Sequence, residues 1–274
     1  MKIPLIGLGT WGLWGAECER IVRLALEIGY CHIDTAFAYE NHKQIAKAIR
    51  GFPREELFLT TKFALGQVTK TMTLSQVDDK RILKSLEKTC DKALKELGTD
   101  YLDALLIHWP NRERPIVEIL AAMHRLADKG KIRYPGVSNY TIHHLQDAYD
   151  AGLSVPFNQV EFHPHLYQKE LLDFCQSHGT QLIAYRPFGK GKLLGEEPLF
   201  AELGQKYGKS PAQIILRWII QKKVPVIPKA SSEDHLRENF TIEDFSLSEE
   251  EEKSIDLLDQ QKRYTNPTWG DFKY

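Results

Sequence analysis

At 274 residues the chain has room for two domains, yet a single α/β barrel commonly fills that length. Its 36 lysines and arginines almost cancel 37 aspartates and glutamates, which excludes the charge imbalance used to hold nucleic acid or an anionic membrane. Apolar residues at 42% exclude a disordered chain, no apolar run reaches membrane-spanning length, and Cys18, Cys31, Cys90 and Cys175 form no C-x-x-C clip or disulfide framework, as suits the reducing cytoplasm.

Leu5 to Gly9 is a short apolar run and reads as a first strand. The uncharged segment Ile3 to Ala16 imitates a secretory signal, but its glycines, Pro4 and two tryptophans assign it to the folded domain. From Cys18 to Gly29, Ile21, Leu24, Ala25 and Ile28 repeat on one helical face, and Gly29 stops the helix. Residues 31–35 favour a strand ending near Asp34, followed by a polar loop with Tyr39 and a helix over 41–50. Leu57 to Lys62 is the third strand, and Leu83, Leu86, Cys90, Leu94 and Leu97 define a helix closed by Gly98. Phe63 to about Ser75 is thereby left as a loop of the length that marks function or mobility.

The alternation continues with strands at 101–108, 132–137, 157–162, 181–186 and 224–229. Helices are predicted at 116–129, 142–151, 169–178, 199–207, 211–222 and 234–240. Ser248 and Glu251 set a capping box for a helix over 248–258. Residues 260–274 lack periodicity and are expected to form a tail near the active site, with Tyr264, Trp269 and Phe272 available to fold over it. Eight strands alternating with helices and no linker predict one domain over 1–274, an α/β fold of the (β/α)8 TIM-barrel class. A doubly wound sheet competes, and the count of eight favours closure.

Gly7-Leu-Gly9-Thr-Trp-Gly12 matches G-x-G-x-x-G, with Asp34 about 20 residues on, and imitates the Rossmann fingerprint. The helix expected to start only near Cys18 and the bulk of Trp11 argue against that reading. Asp34, Lys62 and His108 instead stand at the ends of successive strands, with Tyr39 just beyond the second. Strand ends on one barrel rim converge. Lys62 beside Asp34 predicts an ion pair, and a cation beside Tyr39 is expected to draw the phenol down from about 10, making it a proton donor to a carbonyl oxygen. Taken singly, each side chain is as well explained as a cap or a surface group.

The chain resembles the aldo-keto reductases. The likeness rests on GLGTW at 7–11, GYCHIDTAFAYEN at 29–41, TTK at 60–62 and LIHWP at 106–110. It continues through GVSNYT at 136–141, NQVEFHP at 158–164, AYRPFGKG at 184–191 and IPKASSEDHLREN at 227–239. The resemblance implies NADP(H) bound without a Rossmann fold, and reduction of an aldehyde, ketone, α-ketoaldehyde or keto sugar. It makes Tyr39 the general acid, Asp34 and Lys62 its partners, and His108 the residue that orients the carbonyl. It places the nicotinamide on Tyr185 and its carboxamide near Ser138, Asn139 and Gln159. Further cofactor contacts are implied for Thr10, Trp11, Arg186, Pro187, Phe188, Gly189, Lys229, Ala230, Ser231, Ser232, His235, Glu238 and Asn239. Trp11, Phe63, His108 and Trp109 are implied to wall the substrate. A small-molecule carbonyl is the expected partner, with no nucleic acid, membrane or metal, for a cytoplasmic monomer. The shape is nearest to small bacterial members such as 2,5-diketo-D-gluconate reductases, which also reduce methylglyoxal.

Several positions depart from the family pattern. Ala230 and His235 stand where a serine and an arginine usually grip the 2′-phosphate, which predicts weakened NADPH preference and usable NAD(H). Arg186 replaces a serine near the diphosphate and brings an extra guanidinium. Ala64 stands where tryptophan is common, and the hairpin that usually seals the barrel bottom is expected to be missing. Three other readings compete: a Schiff-base lyase using Lys62, a metal hydrolase using His163 and His165, and an NADP(H)-binding regulatory module on the same fold. His143 and His144 are assigned to a surface helix start without chemistry.

Overall fold

The computed structural model describes residues 3–64, 79–110, 116–267 and 270–274. Most of the loop expected after Phe63, and Trp269 of the tail, lie outside them. Seven strands pair in sequence order and all in parallel: β1 (Gly7–Gly9), β2 (His32–Asp34), β3 (Phe58–Phe63), β4 (Leu102–Ile107), β5 (Ile132–Ser138), β6 (Phe157–Glu161) and β7 (Gln181–Tyr185). Val226 bridges Ile6 on one side and Ala184 on the other, so the predicted eighth strand closes the ring. Pro225 and Pro228 have no N–H to give and leave that stave only sparsely bonded. Gly7, Gly9 and Ala184 donate to the carbonyls of Val226, Pro228 and Pro225, while Val226 and Ile227 donate to those of Leu5 and Ala184. Closure decides against the doubly wound sheet.

The first helix runs Gly15–Ile28 and starts earlier than its apolar repeat suggested. Cys18 N–H already donates to Trp14 O (3.2 Å), so the repeat marks the first buried residue of the helix, not its first turn. A late helix start is therefore not what separates the glycine-rich turn from a dinucleotide fingerprint; the closed parallel ring is. Gly29 ends this helix at φ 120°, with its N–H on Ala25 O and Leu26 O, in a conformation that side chains resist.

Side chains alternate across each strand, and one parity points into the ring. Phe58, Ala104, Leu106, Phe157, Ile183 and Ile227 fill the interior with Ile3 beneath them, forming a cluster apart from the larger core between strands and helices. Phe157 meets Phe58 and Tyr134 edge-on, at 5.9 and 5.6 Å between centroids. Truncating such a side chain to alanine costs about 3–5 kcal/mol. At the amino ends of β3 to β5, Asp103 pairs with Arg54 (2.7 Å) and Arg133 (2.9 Å). Both guanidiniums lie over the Tyr101 ring, at 3.9 and 4.2 Å. The inward parity at the carboxyl ends carries Gly9, Asp34, Lys62, Ser138, Gln159, Glu161 and Tyr185, which gathers polar and ionisable side chains on that rim.

Candidate active site

Lys62 and Asp34 meet on adjacent strands, 1% and 2% exposed. Lys62 Nζ donates to Asp34 Oδ1 (2.5 Å) and to Thr35 O (2.9 Å). Gln159 Nε2, reaching across the ring from β6, donates to Asp34 Oδ2 (2.7 Å). Tyr39 ends the short 3-10 turn Phe37–Tyr39 beyond β2, with the Lys62 ammonium 5.2 Å from its ring centroid. His108 continues the inward parity of β4 and meets Tyr39 edge-to-face at 5.9 Å. The four groups named from the sequence thus share one corner of the rim.

Burial raises Asp34, and Lys62 and Gln159 pull it back. Burial opposes charge on Lys62 as well, but Asp34 and Tyr39 outweigh it and lift the ammonium above its ordinary range. The 2.5 Å contact, with the second carboxylate oxygen accepting from Gln159, has the geometry of a charge-assisted pair. Burial also lifts the Tyr39 phenol; Lys62 pulls downward, and the Asp34 charge opposes that pull. The expectation of a phenol lowered towards working pH is therefore reversed, because burial and the carboxylate outweigh the cation. Burial and the neighbouring ammonium push His108 down to about 3, so it is a neutral imidazole that can donate an N–H without carrying charge.

Asp34, Tyr39 and His108 open onto a cavity of about 760 Å³. Trp11, Trp109, Ser138, Asn139, Gln159, Tyr185, Arg186 and Lys229 line it as expected, and Lys190 and Ile227 join them. Asn139 Nδ2 donates to His108 O (2.9 Å), and Tyr185 hydroxyl donates to Asn139 Oδ1 (2.6 Å), which locks the Tyr185 ring in place. Two expected residues face elsewhere. Phe63 is fully buried in the outer core, because its parity is opposite to that of Lys62. Thr10 is also fully buried, and its hydroxyl donates to Asp34 O (2.9 Å), so it braces the strand end. Pro187, Phe188 and Gly189 do not line this cavity, and neither do Ala230, Ser231, Ser232, His235, Glu238 or Asn239. The last six lie at and within the helix Glu233–Phe240, where Ser232 caps the amino end by accepting His235 N–H.

The tail does return to the rim. Tyr264, Thr265, Asn266 and Pro267 line the cavity, and Phe272 meets Trp109 edge-on at 5.8 Å. His144 is not the surface residue expected. It is buried, closes the cap of Ile142–Asp150 with Thr141, and reaches Asp271 of the tail (3.4 Å), whereas His143 is exposed. His163 and His165 are buried too, His163 against Glu161 (3.2 Å) and His165 against Glu197 (2.7 Å). Among the described residues no group of three or more His, Cys, Asp or Glu could hold a metal ion. Sequence reasoning missed Asn41, whose side-chain amide donates to Thr10 O and Leu13 O and ties the β1 and β2 loops together. It also missed Glu161, which shares the inward parity of Gln159 two residues earlier.

The family model for the Aldo/keto reductase family matches residues 5–260. The chain belongs to the aldo/keto reductase family. Among aldo/keto reductase relatives, it is 39% identical over 267 residues to glyoxal reductase of Bacillus subtilis (strain 168), covering 96% of this chain and 91% of that one. It is 38% identical over 269 residues to 9,11-endoperoxide prostaglandin H2 reductase of Trypanosoma cruzi (strain CL Brener), covering 96% and 90%. A crystal structure of a putative 2,5-diketo-D-gluconic acid reductase B superposes with a TM-score of 0.90 at 34% identity, covering 99% of this chain and 94% of that one. Membership makes the protein an oxidoreductase, and the barrel rim is where that activity is to be sought. Among the described residues no helix is long and apolar enough to cross a membrane.

Proposed function

We propose that this protein reduces small aldehydes and ketones, α-ketoaldehydes or keto sugars among them, to alcohols with NADP(H) or NAD(H), using Tyr39 as proton donor. The observation that carries the reading is the Asp34–Lys62 pair set beside Tyr39 and His108 at the edge of one cavity. Three features suit a nicotinamide dinucleotide. Tyr185 offers a flat ring pinned by Asn139. Gly9 contributes bare backbone to the lining. Arg186, Lys190 and Lys229 supply positive charge for its phosphates.

A bound reduced nicotinamide supplies the hydride equivalent, and the chain supplies the rest. Neutral His108 donates an N–H to the carbonyl oxygen and fixes its direction. Tyr39, whose raised pKa keeps it loaded at neutral pH, delivers its proton to the same oxygen as negative charge develops there. Lys62, held cationic by Asp34, stabilises the phenolate left behind until solvent returns the proton. Trp11 and Trp109 wall the carbonyl compound. The four free cysteines suit a cytoplasmic setting.

A lyase reading is disfavoured because Lys62 already donates to Asp34 and Thr35 O, far from the uncharged amine a Schiff base needs. The test is oxidation of NADPH and NADH against glyoxal, methylglyoxal and 2,5-diketo-D-gluconate. Tyr39→Phe should lower kcat about 10²–10⁴-fold while leaving cofactor binding in place. Wild-type protein that turns over none of these carbonyls, or a Tyr39→Phe variant with undiminished kcat, would overturn the reading.

A further inference from the structure

Glu161 is a fully buried carboxylate that the chemistry above does not use. It ends β6 on the inward parity, and both its oxygens are taken by the tail. Tyr264 N–H donates to Oε1 (2.9 Å) and Thr265 N–H to Oε2 (2.8 Å), while His163 Nε2 lies 3.2 Å from Oε1. Burial opposes the charge, but the His163 contact and the two amides hold the carboxyl below its ordinary range. A buried carboxylate stripped of partners is strongly destabilising. The tail backbone is therefore part of what keeps this charge inside the barrel mouth.

The gripped residues begin the stretch Tyr264, Thr265, Asn266 and Pro267 that walls the cavity. Thr265 Oγ1 accepts from Arg186 Nη1 (2.5 Å), and the Arg186 guanidinium lies 5.2 Å from the Trp11 ring centroid. Tyr264 packs over Gly189, where a Cβ would come within 2.6 Å of its ring. Contacts thus run without a break from β6, through the tail, to the segment after β7 and the turn after β1. They form one side of the cavity that Tyr39 also lines.

We propose that Glu161 is a positioning residue for carbonyl reduction: by gripping both amides it fixes the tail wall and, through Thr265, the place of Arg186 in the cavity. This rests on the reductase reading given above. A glutamine at 161 keeps the size but has one acceptor oxygen, and it turns an NH₂ against the second main-chain N–H. Glu161→Gln therefore breaks the grip without opening a hole. Thr265→Val leaves both amide bonds intact and removes the hydroxyl that meets Arg186 and the Tyr185 phenol.

Amide hydrogen exchange on the free protein, read by NMR, should show Tyr264 and Thr265 exchanging about tenfold faster in Glu161→Gln, as expected for loss of one charge-assisted hydrogen bond, with the strands unchanged. In steady-state kinetics with methylglyoxal and NADPH, KM should rise by about the same factor with kcat held, because the wall binds and does not react. Thr265→Val should keep the slow exchange yet raise KM by about threefold, as befits loss of one hydrogen bond. Equal exchange in wild type and Glu161→Gln overturns the proposal, as does a fall in kcat at constant KM. Should Glu161→Gln not fold, an unchanged KM in Thr265→Val overturns it instead. Exchange is measured without substrate, so a chain that turns over no carbonyl still reports whether the tail is anchored. A chain that turns over methylglyoxal with a freely exchanging tail sinks the anchor and spares the reductase.

Discussion

Asp34, which lines the cavity, and His235, on the helix Glu233–Phe240 outside that lining, are built in opposite ways. Around Asp34 both carboxylate oxygens are bonded, the ammonium beside it is buried, and Gln159 reaches across the ring to complete the set. Around His235 the side chains of Lys229, Ser231 and His235 are exposed, and Ser232 is engaged in capping its own helix. In the first region each residue is fixed by several others, so no side chain can be exchanged alone. In the second, substitutions at Lys229, Ser231 or His235 fall on exposed side chains. The residues proposed for the reaction thus sit where every neighbour is engaged, and those proposed for cofactor choice where side chains are exposed.

Three experiments probe that contrast. The largest effect is expected from Lys62→Met, which strands Asp34 without its cation; stability should fall by about 3–5 kcal/mol in urea denaturation, with reductase activity lost. A smaller loss than about 1 kcal/mol would mean the buried region is less interlocked than its bonds imply. Next comes acid. Burial and the Lys62 charge push His32 from 6.5 down to about 3, so between those values the unfolded chain binds a proton that the folded chain refuses. Stability should then fall as pH drops below 6.5, by up to about 1.4 kcal/mol per pH unit for this group, and return above it. Denaturation midpoints at pH 7 and pH 4.5 that coincide would remove this burden from the buried region. The smallest change is expected in the exposed region: His235→Arg should tighten NADPH binding about tenfold, with NADH affinity and stability unaltered. Cofactor titration by nicotinamide fluorescence reads it, and an equal gain for NADH would show that the added charge is not meeting a 2′-phosphate.

Much of this was legible in the sequence because a barrel repeats one rule. The helices ended by Gly29, Gly98, Gly130, Gly152 and Gly179 each release the chain into a strand, and Asp34, Lys62 and His108 fall at successive strand ends. Parity was equally readable but was not applied throughout. Phe63 follows Lys62 and must face the helices, and Glu161, two beyond Gln159, must face inward. Other features needed coordinates. The direction of the Tyr39 shift depends on how burial and Asp34 weigh against Lys62, which no spacing reveals. The burial of His144 depends on Asp271, more than a hundred residues away, and the tail grip depends on main-chain amides that any sequence would supply.

The proline-bearing stave has a further consequence. Val226 and Ile227 are flanked by residues that cannot donate, so the ring is sealed beside Gly9 and Lys229 by a handful of bonds instead of a full ladder. A hoop gives first at its weakest joint, and thermal breathing of the wall should concentrate at that joint. It adjoins Gly9, Ile227 and Lys229 of the cavity lining, so the elasticity of the whole hoop is delivered to that wall.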